Sequence, residues 1–115
     1  MEEPKVNICM STYNGEKYIK EQIDSLLNQT YKNIEIYVRD DGSKDNTISI
    51  LEEYEKQNKI HFIKGKNVGV VGSFYECLKT AYDNGEYFAY CDQDDKWHSD
   101  KIERAIKKLE EKNEE

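Results

Sequence analysis

Residues 34–54 read I-E-I-Y-V-R-D-D-G-S-K-D-N-T-I-S-I-L-E-E-Y, and this stretch decides the fold. Its first six residues, Ile34–Arg39, alternate apolar and polar side chains as a strand does, and a polar turn with one glycine follows. The apolar residues Ile48, Leu51 and Tyr54 then recur with the spacing of one helix face. The stretch therefore predicts one strand followed by one helix.

The same unit recurs on both sides of this stretch. Before it, Lys5–Ser11 has the pattern of a strand and Ile19–Asn28 that of an amphipathic helix. After it, Ile60–Ile63 and Tyr87–Cys91 are predicted strands, and a glycine-bearing loop over Gly65–Gly72 follows the first of them. Two further helical stripes run from Val71 to Ala81 and from Ile102 to Leu109. Strands that alternate with helices predict a mainly parallel sheet with helices on both faces, a Rossmann-like three-layer α/β/α sandwich.

Length and composition limit the function. The 115 residues suffice for a single domain, 1–115, with a modest core. Acidic residues outnumber basic ones by 24 to 17, for a net charge of −7, which argues against nucleic acid as the main partner because phosphates require a basic face. The sequence has no signal-peptide pattern and no apolar run near the ~18 residues that cross a bilayer. Three cysteines without a CxxC pair predict buried thiols in a reducing cytoplasm.

Ligands of open α/β sheets bind beyond the carboxyl ends of the strands, so the segments that follow the strands are the candidate site. The strongest signal is Asp92-Gln93-Asp94-Asp95, where three carboxylates repel one another unless a cation, a helix N-terminus or protonation offsets the repulsion. Oxygen ligands suit Mg²⁺ or Mn²⁺. A solvated, helix-capping acid cluster is the alternative, and a calcium loop fits worse because Trp97 stands where such a loop requires glycine.

The other three segments are weaker signals when each is taken alone. In Asp40-Asp41-Gly42-Ser43 a carboxylate could accept hydrogen bonds from a ribose or a base, or the segment could be an ordinary turn with a helix cap. Thr12 and Tyr13 could bond to or stack on a nucleobase, while the plain interpretation has Asn14 capping a helix and Tyr13 packing. The glycine-bearing segment places Lys66 where it could meet a phosphate, although such a segment is more often a flexible turn.

Together, the four segments resemble the amino-terminal, nucleotide-sugar-binding half of family 2 inverting glycosyltransferases of the GT-A fold. The resemblance rests on V-N-I-C-M-S-T-Y-N-G-E-K-Y-I…I-D-S-L-L-N-Q-T-Y (6–31), D-D-G-S-K-D-N-T (40–47), N-V-G (67–69) and D-Q-D-D-K-W (92–97), in this order. It implies a glycosyltransferase that moves a sugar from a nucleotide-diphosphate sugar to a glycan or lipid-linked acceptor with inversion, using Mn²⁺ or Mg²⁺.

The resemblance also implies roles for particular residues. Asp92 and Asp94 take the positions of the first and last acids of the family's DxD signature. Asp94 would then hold the metal against the diphosphate, and Asp92 would help to place the metal or the ribose. The role of the extra acid, Asp95, stays open. The positions implied to contact the nucleotide sugar are Thr12, Tyr13, Asn14, Asp40, Asp41, Lys66 and Asp92.

In this family the general base and the acceptor pocket follow the DxD loop. The resemblance therefore implies that the base lies beyond Glu115 and that this chain is a donor-binding part, inactive alone. The D-Q-D-D-K-W variant is similar to rhamnosyl- or galactosyltransferases of bacterial surface polysaccharide synthesis, which act at the inner face of the plasma membrane. A truncated sheet would leave an apolar edge open, which predicts self-association.

A second function stays open at this point, a Mg²⁺-binding regulatory α/β module that resembles a phosphoacceptor domain. Such a module should carry its acidic pair after the first strand. Here the acidic pairs follow the second and the fourth predicted strands.

Overall fold

A computed structural model of the chain describes residues 4–82, 87–92 and 97–113, and only the backbone of residues 92, 112 and 113. The described residues form alternating strands and helices, which confirms the predicted α/β class. The elements are β1 (Val6–Thr12), α1 (Ile19–Leu27), β2 (Ile34–Asp40), α2 (Thr47–Lys56), β3 (His61–Lys64), α3 (Val70–Ala81), β4 (Tyr87–Asp92) and α4 (Lys101–Asn113).

The strands form one parallel sheet in the order β3-β2-β1-β4. In its register, Thr12 at the end of β1 lies beside Asp40 of β2, and Ser11 lies beside Asp92 of β4. The chain first steps outward from β1 to β3 and then returns across β1 to form β4, so the strand order reverses between β1 and β4. Such a reversal leaves a crevice at the carboxyl ends of the strands, where ligands bind in folds of this kind.

The two faces of the sheet carry different helices. Ile8 and Met10 of β1 pack in one core with Ile23 of α1, Leu51 of α2 and Ile102 of α4. The alternate residues of the sheet face a second core that α3 covers, formed by Cys9, Tyr37, Cys77 and Ala81. Because parallel crossovers are right-handed, two steps in one direction put α1 and α2 on the same face, and the return step puts α3 on the other.

Element boundaries differ from the prediction at four places that matter for the site. β1, β2 and β4 each extend one residue further than predicted, so Thr12, Asp40 and Asp92 are strand residues. The side chains of Thr12 and Asp40 are buried. α3 begins at Val70, inside the loop predicted over Gly65–Gly72. Gly69 ends that loop in the left-handed region, with φ of 87°, and Gly72 is already helical.

The predicted buried thiols are confirmed. Cys9, Cys77 and Cys91 are all buried and free. A hydrogen bond with Cys9, together with burial, raises the pKa of Cys77, so this thiol stays protonated. A search of the described helices finds none with the length and apolarity that crossing a bilayer requires.

β4 is an edge of the sheet within the described part of the chain. Phe88 and Tyr90 on this strand are 39% and 38% exposed. Tyr82 stacks on Phe88, and the Phe74 ring meets Tyr90 edge-on. The edge is therefore aromatic and accessible, and self-association through it stays a prediction.

Candidate functional site

The Asp40 carboxylate holds the turn that follows β2. Its Oδ1 accepts hydrogen bonds from the hydroxyls of Thr12 (2.9 Å) and Ser43 (2.5 Å), and its Oδ2 accepts from the backbone N–H groups of Gly42 (3.1 Å) and Ser43 (2.7 Å). Gly42 has φ of 88°, which a side chain would make unfavourable. The family resemblance implies that Asp40 and Thr12 contact the nucleotide sugar. In the structure both side chains have internal partners and are 0% and 1% exposed, and the contact with a ligand stays a prediction.

The segment after β1 is bonded to the segment after β2. The Asn14 N–H donates to Ser43 Oγ and the Asn14 side-chain oxygen accepts from Lys44 N, both at 2.8 Å. Gly15 N donates to Thr47 Oγ1 at 2.9 Å. Asn14 thus joins two segments instead of capping a helix, and it adopts φ of 48° to do so. Tyr13, the neighbour of Asn14, is 41% exposed at this junction.

Asp45 performs a cap-like role at the start of α2. Its Oδ1 accepts from the N–H (3.0 Å) and the hydroxyl (2.6 Å) of Thr47 at the start of α2. Its Oδ2 accepts from Glu16 N at 3.3 Å. Partial desolvation would raise the pKa of Asp45, but the hydrogen bonds from Thr47 and Glu16 outweigh it and hold the pKa below its usual value.

Asp41 joins the second segment to the third. Its Oδ1 accepts from Val68 N (2.8 Å) and its Oδ2 from Gly69 N (3.1 Å). Asp41 N also donates to Thr12 O at 2.9 Å. The Asp41 residue is 3% exposed. The side chain of Lys66, in the same third segment, is exposed.

Arg39 is a site residue that sequence reasoning missed. Its guanidinium is buried beside Asp41, with Nη1 2.9 Å from Asp41 Oδ1 and side-chain exposures of 6% and 4%. The signal that could have found it is its place in β2, where an arginine at the strand end directly precedes two aspartates. A buried charge requires a partner, and the adjacent carboxylates are the nearest candidates in the sequence.

The fourth segment begins at Asp92, where β4 ends beside Ser11 of β1. Asp94 and Asp95 lie outside the described residues. The chain is described again from Trp97, which is 5% exposed and whose N–H donates to Ser25 Oγ at 3.4 Å.

Gln29, after α1, fastens the chain that follows the fourth segment, and sequence reasoning missed it as well. Its side-chain amide donates to His98 O at 2.7 Å, and its side-chain oxygen accepts from Ile102 N at 3.1 Å. Gln29 is completely buried. A glutamine that follows two leucines at the end of a helical stripe was the available signal, because a buried amide requires partners.

The predicted metal ligands can be compared with the structure only in part. Over residues 4–82, 87–92 and 97–113 no group of three or more His, Cys, Asp or Glu residues could hold a metal ion. The backbone of Asp92 does lie at the strand-end edge that Asp41 and Thr12 share. Carboxylate oxygens are the ligands that Mg²⁺ and Mn²⁺ prefer, so the residue types present at this edge fit such an ion.

A groove of about 560 Å³ lies elsewhere, between α1 and α2. Within it the Tyr54 hydroxyl donates to Asp24 Oδ1 at 2.7 Å, and burial together with this bond raises the pKa of Tyr54. The groove lies on the outer side of two helices and not at the strand ends, so it is separate from the candidate site.

Comparison with known proteins identifies the family. The model of the family described as "Glycosyl transferase family 2" matches residues 7–115. The chain belongs to this family. The predicted family is therefore confirmed over almost the whole sequence.

Two curated relatives have named activities. The dTDP-rhamnosyl transferase RfbG of Shigella flexneri is 39% identical over 84% of this chain and 35% of its own length. The putative teichuronic acid biosynthesis glycosyltransferase TuaG of Bacillus subtilis is 34% identical over 96% of this chain and 44% of its own length. The family 2 chain spans about a third of the length of the first curated relatives it matches.

Two solved glycosyltransferases share the fold. S. aureus TarS 1-349 in complex with UDP-GlcNAc has a TM-score of 0.79 and 31% identity, over 93% of this chain and 31% of TarS. The mannosyltransferase PcManGT of Pyrobaculum calidifontis, in complex with GDP-Man and Mn²⁺, has a TM-score of 0.83 and 24% identity, over 94% of this chain and 33% of PcManGT. The predicted GT-A fold is confirmed by these neighbours.

Proposed function

We propose that this chain is the nucleotide-sugar-binding part of a glycosyltransferase that transfers its sugar with inversion. One observation carries the proposal. The segments after β1, β2 and β3 are hydrogen-bonded to one another at the carboxyl edge of the sheet, where β4 also ends and where the strand order reverses. The complexes of TarS with UDP and with UDP-GlcNAc support a nucleotide-sugar ligand.

We assign different roles to the buried and the exposed residues of this edge. Tyr13 is exposed and offers an aromatic face to the base, with Asn14 beside it. Lys66 has an exposed ammonium group that can reach a phosphate. From the family resemblance we propose that Asp41, although it is buried and bonded to the third segment, also accepts a hydrogen bond from the base or the ribose. Asp40 and Thr12 are proposed to support the site by holding the turn.

Asp94, with Asp92, is the proposed metal-binding pair. When bound, Mn²⁺ or Mg²⁺ would neutralise the charge that develops on the departing nucleoside diphosphate. Of the two proposed metal ligands, Asp92 is the one whose backbone position is described, at the end of β4. The Mn²⁺ in the PcManGT complex supports a divalent ion, and the choice between the two metals stays open.

The remaining parts of the reaction are proposals from the family. Inversion requires a general base that deprotonates the acceptor hydroxyl on the face of the sugar opposite the diphosphate, and we place this base beyond Glu115. We further propose a glycan or lipid-linked acceptor at the inner face of the plasma membrane, in surface polysaccharide synthesis. The rhamnosyl transfer named for RfbG and the teichuronic acid biosynthesis named for TuaG support the polysaccharide role.

Calorimetric titration tests this function. UDP, GDP and dTDP are titrated into the chain with Mn²⁺, with Mg²⁺ and with chelator. At least one nucleotide is expected to bind about tenfold more tightly with metal than without, because an ion held by Asp92 and Asp94 would supply positive charge to the diphosphate.

The Asp94→Asn variant should lose this metal-dependent gain and keep its thermal stability. Asp100→Asn, which alters an exposed aspartate before α4, is the matched control and should bind like the wild type. Failure of all three nucleotides to bind in the presence of metal would contradict the proposed function.

A further inference from the structure

The geometry points to Arg39 as a positioning residue of the nucleotide-sugar site. It also points to a requirement for glycine at position 65, because Arg39 lies against this residue. The guanidinium is inferred to fix the Asp41 carboxylate and the chain from Gly65 to Gly69 in one arrangement. This inference rests on the proposed function, because it names the residue that prepares that site. No contact between Arg39 and a ligand is part of it.

The guanidinium connects three parts of the chain. Nη1 donates to Asp41 Oδ1 and to Ser73 Oγ, both at 2.9 Å, and Nη2 donates to Lys66 O at 3.1 Å. Ser73, in the first turn of α3, also accepts a hydrogen bond from Ser11 Oγ of β1 at 2.6 Å. A single buried side chain therefore links β2, the third segment and the start of α3.

The requirement for glycine at position 65 comes from space and not from the backbone. The glycines with positive φ are Gly42 and Gly69, and Gly65 is not among them. A Cβ atom at Gly65 would lie 2.1 Å from Nη2, 2.4 Å from Cζ and 2.8 Å from Nε of Arg39. Gly65 N is bonded to Asp40 O at 2.9 Å, so this part of the chain is anchored to β2 beside the guanidinium.

The consequence for the site passes through Asp41. Its Oδ1 accepts hydrogen bonds from Arg39 Nη1 and Val68 N, and its Oδ2 accepts one from Gly69 N. Without the guanidinium, the buried Asp41 charge has no cationic partner, and only the N–H groups of Val68 and Gly69 hold the carboxylate. A lysine at position 39 supplies a charge but lacks the planar fork that reaches three acceptors at once.

A double-mutant cycle tests the coupling between the two residues. Gly65→Ala and Arg39→Ala are each expected to weaken metal-dependent nucleotide binding about tenfold, and the double variant should be no weaker than Arg39→Ala alone. The added methyl group meets the guanidinium only when the guanidinium is present. Losses that multiply in the double variant would overturn the inference.

Gly72→Ala is the matched control. It adds a methyl group in the first turn of α3, where the Cβ would approach only the Val68 side chain, at 3.1 Å. It is expected to leave nucleotide binding near the wild-type value. It should also show no coupling to Arg39→Ala.

Amide exchange followed by NMR distinguishes a local loosening of the third segment from a loss of global stability. In Arg39→Lys, the amides of Val68 and Gly69 should exchange about tenfold faster, while those of Ile8 and Val38 in the core keep their protection. This variant also keeps the test valid if Arg39→Ala does not fold. Unchanged exchange at Val68 and Gly69, with unchanged nucleotide affinity, would contradict the positioning role.

The two proposals fail in different ways. If the wild-type chain binds no nucleotide, the proposed function fails, whereas the coupling of Arg39 to Gly65 is still decided by the same cycle measured through urea unfolding. If the wild type binds and the cycle shows no coupling, only the role of Arg39 fails.

Discussion

Replacing Asp40 with alanine is expected to lower the free energy of unfolding by about 3–4 kcal/mol. The carboxylate accepts four hydrogen bonds, from Thr12, from Gly42 and twice from Ser43, and it has no exposed surface. Hydrogen bonds to a charged acceptor each contribute about 1.5–3 kcal/mol. The total is smaller than their sum because Gly42 and Ser43 are partly exposed and water can replace some of the lost bonds.

Urea unfolding followed by circular dichroism measures the effect. Asp40→Asn keeps the shape of the side chain and one acceptor, so its loss should be smaller, about 1–2 kcal/mol. Glu52→Ala, on the exposed surface of α2, is the control and should stay within about 0.5 kcal/mol of the wild type. An alanine variant at position 40 as stable as this control would contradict the role given to the turn.

Replacing Gln29 with leucine is expected to cost about 2–3 kcal/mol, because the buried N–H of Ile102 loses its acceptor and His98 O loses one of its donors. His98 O keeps its hydrogen bond from Lys101 N, so most of the cost comes from Ile102 N. Ile102 N lies in the first turn of α4, where a helix has no backbone acceptor to offer it. Leucine has a volume similar to that of glutamine, so the loss of unfolding free energy reports the lost hydrogen bonds more than a change in packing.

The matched control is Gln57→Leu, which makes the same change at an exposed glutamine directly after α2. It is expected to leave the free energy of unfolding within about 0.5 kcal/mol of the wild type. In Gln29→Leu, the amides of α4 should also exchange faster than those of α1. Equal stability of the two variants would show that Gln29 does not fasten the chain after the fourth segment.

The order of elements and their place in the sheet could be predicted from the sequence because one pattern repeats. Each strand carries alternating or apolar residues, each helix carries a stripe, and the crossover rule leaves few arrangements. The strand boundaries in the structure differ from the predicted boundaries where a polar residue ends a strand. Thr12 and Asp40 were expected in loops, but they pair across β1 and β2 and bond to each other.

The contacts within the site could not be predicted in the same way. Asp40 and Asp41 are adjacent and identical in type, yet one holds its own turn and the other holds the third segment, 27 and 28 residues away in sequence. Periodicity says nothing about which donors such carboxylates meet. Arg39 and Gln29 were missed for this reason, since most of their partners lie far away in sequence. These partners are Lys66 and Ser73 for Arg39, and His98 and Ile102 for Gln29.

Paramagnetic relaxation by Mn²⁺ tests the central claim, that a metal and a nucleotide diphosphate bind together at the carboxyl edge of the sheet. Seven residues of β1 separate its two ends by about 20 Å, enough to distinguish the two edges of the sheet. With Mn²⁺ and the best-binding nucleotide from the titration, NMR signals of the amides of Thr12, Asp41 and Asp92 should broaden, while those of Val6, Ile34 and Tyr87 stay sharp. Broadening at Val6, Ile34 and Tyr87, or no site-specific broadening, would contradict the account.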